Sequence, residues 1–273
     1  MRYRAPARAE VPASLFAHPA FDGLTETQRG LCVQPHWPGI DDLNALWSAP
    51  LSDAGVRLRF TAQETLDDGL HYERRIHDHG LIATRGDNWH DLFNAFVWMR
   101  FPALKAALNR RQVEDLARVG ASRRTRGQSA MTHFDEAGAI VRLDDERLLS
   151  AWDAHDWPTL FRGWQAAERR GALQCWVFGH ALMEHALTPA IALVAKALVI
   201  AHPAPMDAAQ LDALLAAHVS AGLCLNDPQE LRPIPLSGVP GWHPEHGHPD
   251  FFQRLPCFRP KREGRLYPAP IRP

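Results

Sequence analysis

Residues 85–100 read RGDNWHDLFNAFVWMR, and the fold turns on this stretch. Trp89, Leu92, Phe93, Phe96 and Val97 recur at three- and four-residue steps, the period of a helix that buries one stripe. Asn88 stands where a cap belongs, with Asp91 three residues on, so the helix is expected to start just after Asn88. It continues to about residue 116 with a break at Phe101-Pro102, because a proline inside a helix has no N–H to give and its ring crowds the preceding turn.

Towards the N-terminus, residues 71–85 (HYERRIHDHGLIATR) read as two short strands around the turn Asp78-His79-Gly80. Residues 56–61 (VRLRFT) alternate as a half-buried strand, and residues 41–47 form a short amphipathic helix. Towards the C-terminus, residues 129–143 (SAMTHFDEAGAIVRL) read as a second hairpin with Asp135-Glu136-Ala137-Gly138 as its turn. Helices are expected over 145–154, 157–169, 175–187, 190–202 and 207–218, the last opened by Asp207 and Gln210 at capping-box spacing. Eleven of the 22 prolines fall in residues 228–273, among Trp242, Phe251, Phe252 and Phe258. That composition predicts an irregular, Pro-rich wrap packed on the body, with only the last ten or so residues loose. The expected fold is α+β: a mainly helical single domain with short antiparallel β-hairpins, its core over residues 1–227 and its extension over 228–273.

Composition narrows the class. With 273 residues, 46% hydrophobic and 22% charged types and a net charge of -1, disordered, collagenous and coiled-coil classes are excluded. The four cysteines contain no CxxC pair, so neither a disulfide framework nor a thiolate zinc site is expected. The longest apolar stretch, residues 186–201, is interrupted by Pro189 and Lys196 and is too short to span a bilayer. A basic start without an apolar segment behind it is no secretory signal, so a cytoplasmic protein with no membrane partner is expected. Arg makes up 27 of the 30 basic residues, which reads as coding bias rather than as guanidinium chemistry.

Fifteen histidines raise the question of a metal. His90 and Asn94 stand one helical turn apart, with Asp91 beside them at a helix start that favours anions. Caps and macrodipole partners also account for such residues, Asp91 above all. His180 and Glu184 are likewise four apart, a spacing that serves either a metal or a surface ion pair. Thr132-His133-Phe134-Asp135-Glu136 reads as turn chemistry, and His243, His246 and His248 as an adventitious exposed chelate. Residues 100–126 carry eight basic and two acidic side chains, a solvated face or a phosphate-tracking one.

The blocks HYERRIHDHGLIATRGDNWHDLFNAFVWMRFPALKAALN, THFDEAGAIV, VFGHALMEHAL and PLSGVPGWHPE, with the later FFQ and CFRP, resemble the bacterial domain of unknown function family 3025, in order from about residue 20 to 262. The resemblance implies a soluble bacterial protein and carries over no catalytic residues. A hairpin leading into the helix with His90, Asn94 and Lys105 also has the outline of His-Asn-His nucleases. The expectation is a metal-assisted hydrolase: His90, Asp91 and Asn94 catalytic, His90, His180 and Glu184 on a divalent metal, and Arg85 and Arg100 clamping a small anionic substrate. The competing classes are a non-enzymatic binding or scaffolding protein and a nuclease acting on nucleic acid.

Overall fold

The computed structural model describes residues 3–52, 54–67 and 69–273. In chain order its helices and strands begin with α1 (Glu26–Val33), α2 (Ile40–Ala45), β1 (Arg59–Ala62), α3 (Tyr72–His79), β2 (Leu81–Thr84), α4 (Trp89–Arg100) and α5 (Pro102–Val119). There follow α6 (Arg126–Ala137), β3 (Gly138–Leu143), α7 (Glu146–Ala154), α8 (Trp157–Arg169), β4 (Leu173–Val177) and α9 (His180–His185). The last are β5 (Val194–Ala201), α10 (Ala208–Ser220), β6 (Arg232–Pro235) and α11 (Phe251–Arg254). The fold is α+β. The chain divides into two compact units: a helical unit of Leu24–Thr132 and Asp207–Pro228, and a sheet unit of residues up to Gly23, His133–Met206 and Gln229–Pro273.

In the helical unit α4 ends where the proline requires, and Pro102 opens α5 in its first turn, where a missing N–H costs nothing. The next free donors, the N–H groups of Ala103 and Leu104, are taken by the buried Asp212 carboxylate of α10 at 3.0 and 2.7 Å. Burial pushes the Asp212 carboxyl above its ordinary value, against the pull of those two N–H groups. An acid raised on folding adds stability at low pH and loses it as pH rises through the folded value. Relative to Asp212→Asn, wild type should therefore lose unfolding free energy in urea titrations as pH rises from about 4 towards 7. A pH-independent difference contradicts this.

Residues 72–79, expected as a strand, form α3 instead. The ring of His71 accepts from Glu73 N at its start, and Gly80 ends it at φ +67, where an added Cβ would lie 2.6 Å from Arg57 O. The two strands around α3 pair in parallel, from Arg59 opposite Leu81 to Ala62 opposite Thr84. Parallel neighbours need a crossover rather than a two-residue turn, and α3 supplies it. The second expected hairpin likewise begins as a helix: Thr125 and Gln128 close a capping box, and Ala130, Met131 and Phe134 bury one face of α6. Asp135 and Glu136 thus lie in the last turn of a helix.

The sheet unit is built on strand order β4-β3-β5-β6, with β3 and β5 parallel and the other pairs antiparallel. Its strands are joined by long connections rather than as hairpins. Residues 194–201, expected as helix, are the internal strand β5, and residues 173–177 are β4 rather than the start of a helix. A strand covered on both faces buries a continuous apolar run without alternation, so its periodicity does not separate it from a helix. The C-terminal segment packs within this unit. Pro233 and Pro235 fit β6 at the sheet edge, Trp152 donates to Pro233 O, Trp157 donates to Arg259 O, and Phe161 meets Phe252 and Phe258. The final residues are tied rather than loose, since Ile271 N donates to Val199 O and Ala201 N to Ile271 O. Among the described residues no helix is long and apolar enough to cross a membrane.

Candidate functional site

At the start of α4 the sequence's reading of a cap holds: Asn88 Oδ1 accepts from Asp91 N at 3.0 Å. The Asp91 carboxylate then accepts from Arg85 three times, from the backbone N at 2.6 Å, Nε at 3.0 Å and Nη2 at 2.7 Å. Its side chain is 10% exposed against 52% for Arg85. A carboxylate so engaged fixes the 85–88 loop and has little capacity left for catalysis. The loop borders a concave pocket of about 280 Å³ lined by Trp37, Ile40, Leu43, Glu64, Arg85 and Asn88 among others, whereas His90, Asp91 and Asn94 do not line it.

Asn94 is held from both sides: its Oδ1 accepts from Lys105 Nζ at 3.0 Å and its Nδ2 faces Tyr72 Oη at 3.4 Å. The buried Lys105 ammonium lies 5.1 Å from the centroid of the Trp98 ring. His90 is half-buried on the second residue of α4, and the Arg100 guanidinium rests over Phe101. The basic residues of α5 and α6 serve structure: Arg111 donates to Val219 O, Cys224 O and Asn226, Arg110 to Ser220, Arg118 pairs with Asp115 and Arg126 with Asp227. Beside these partners Arg118 and Arg126 remain 68% and 64% exposed. The nuclease outline loses its hairpin, since α3 stands where its first strand was expected.

The sheet unit places a second set. His180 opens α9, buried, and its Nε2 lies 3.7 Å from Glu136 Oε2; the side chains are 5% and 45% exposed. Backbone contact brings them together: Gly179 crosses the end of α6 so closely that a Cβ there would sit 2.5 Å from Glu136 O and from Gly138 N. Phe134 of α6 and Phe178, next to Gly179, stack at 4.7 Å. The carboxylate found against His180 is thus Glu136, the residue expected in a turn. Its signal in the sequence is Thr125-Arg-Gly-Gln128, a capping box that starts the helix carrying Glu136. Glu184 is half-exposed on α9, and its carbonyl accepts from Tyr3 Oη at 2.8 Å.

Other candidates serve packing. His243 is buried and faces Ala190 O, and His246 faces Gly238 O at 2.8 Å, so these rings brace turns rather than form an exposed chelate. None of the four cysteines is in a disulfide, and desolvation pushes the Cys175 thiol up.

Residues 58–262 match the model of a family described as a protein of unknown function, DUF3025. The chain belongs to the DUF3025 family. Neither a curated protein nor a solved structure matches it. The matched DUF3025 span contains both Glu136 and His180, as well as the Arg85, Asp91, Asn94 and Lys105 contacts of the helical unit.

Proposed function

We propose that this DUF3025 member is a cytoplasmic bacterial metal-assisted hydrolase in which Glu136 and His180 form the reactive pair. The observation that carries the reading is the buried imidazole held 3.7 Å from a carboxylate that reaches solvent. Imidazole and carboxylate are the donor types that suit a catalytic divalent ion, which supplies an activated water when bound. The Gly179 crossing holds the start of α9 against the end of α6, and the exposed carboxylate leaves an approach for substrate. Arg85 stays committed to Asp91 and has half its side chain exposed in the pocket wall of the helical unit.

Untagged protein should hydrolyse an ester, amide or phosphoester reporter in the presence of Mn²⁺ or Zn²⁺, lose the activity to a chelator and regain it with metal. His180→Ala should lower kcat by about 100-fold with an unchanged circular dichroism spectrum. His90→Ala runs alongside, because an imidazole ligand is expected there from sequence. Absence of turnover, or turnover indifferent to chelation, contradicts the proposal and favours a non-enzymatic binding protein.

A further inference from the structure

Away from Glu136 and His180, the C-terminal segment of the sheet unit gathers cations around one ring. The Arg265 guanidinium carbon lies 4.6 Å from the centroid of Tyr267, that of Arg232 5.3 Å, and Lys261 Nζ 5.8 Å. Lys196 lies on the neighbouring strand β5, opposite Pro233, the residue that follows Arg232 on β6. Burial pushes the Lys196 ammonium below its ordinary value, and the charges of Arg265 and Arg262 push the same way.

Neutralisation of this cluster is incomplete. Arg232 is paired with Asp153 at 2.7 Å and also donates to Pro268 O. Arg265 spends its donors on Gln229 and on the Leu231 carbonyl, neutral acceptors that leave its charge standing. Among the described residues Lys196, Lys261, Arg262 and Arg265 form no ion pair with a carboxylate. Like charges held together by a folded segment repel one another, and the arrangement gains most from an anion of high charge density with several acceptor oxygens.

We propose that Lys196, Lys261, Arg262 and Arg265 form a binding site for a phosphoryl group. Lys261 and Arg265 meet on one aromatic ring, with Arg262 next to Lys261 in the chain and Lys196 on β5, a short span of cations that suits a single dianionic group better than an extended strand of phosphodiesters. Lys261 and Arg262 are exposed, so replacing them leaves the packed segment intact.

The test is calorimetric titration of the full-length protein with inorganic phosphate at low ionic strength, with chloride as control and a single-stranded DNA oligonucleotide as a second titrant. Wild type should bind one phosphate saturably. The double variant Lys261→Ala with Arg262→Ala should bind at least tenfold more weakly, and Arg262→Lys should fall between the two. Phosphate binding no stronger than chloride, or binding unchanged in the double variant, overturns the site. Saturable binding of DNA without saturable binding of phosphate overturns it too, and marks a polyanion surface.

Discussion

Gly179→Ala should destabilise the protein by at least about 3 kcal/mol, the upper range for forcing extra volume into a packed site. The added methyl would meet Glu136 O and Gly138 N at 2.5 Å and the Ala137 Cα at 2.6 Å, all backbone atoms that cannot rotate away. The end of α6, the start of β3 and the turn before α9 must then separate, which also pulls His180 from Glu136. Urea unfolding measures the first effect and metal titration of the folded fraction the second. Gly247→Ala is the control: a Cβ there meets nothing within 4 Å, and its cost should stay within about 0.5 kcal/mol. Equal behaviour of the two variants contradicts the close crossing.

Asp91→Ala should cost about 3 kcal/mol, from the loss of hydrogen bonds to a nearly buried charge. Three donors from Arg85 lose their acceptor, one of them a backbone N–H. The exposed half of Arg85 tempers the loss, because its guanidinium can return to water. Asp91→Asn keeps one acceptor oxygen and should lose about half as much. If Asp91 acted in catalysis rather than in fixing the loop, Asp91→Asn would abolish turnover while leaving the urea midpoint unchanged. The geometry predicts the opposite pattern.

Elements bounded by local chemistry were legible from sequence. The cap at Asn88, the break at Pro102 and the Asp207–Gln210 box all act within a few residues, and each is found where local rules place it. The residues misread were those whose conformation depends on distant partners. Four consecutive residues of β5 are buried, so both of its faces are covered, and nothing within the run distinguishes a buried strand from a buried helix. The helix α3 bridges two parallel strands, a role that its neighbours in sequence do not reveal. The site shows the same division. The sequence singles out His180 and, by helical spacing, Glu184, but the Glu136 carboxylate beside His180 comes from 44 positions earlier through a glycine crossing that spacing does not reveal. For Asp91 and Asn94, polarity at a helix start was visible and their commitment to Arg85, Lys105 and Tyr72 was not.

The central claim is that Glu136 and His180 hold a divalent ion, and titration of the untagged full-length protein with Mn²⁺ or Zn²⁺ tests it most directly. Wild type should show one saturable site. Glu136→Gln and His180→Ala should each weaken it at least tenfold, and His248→Ala, on an exposed turn, should leave it unchanged. A wild type without a saturable site, or full affinity retained in both the Glu136 and His180 variants, contradicts the account.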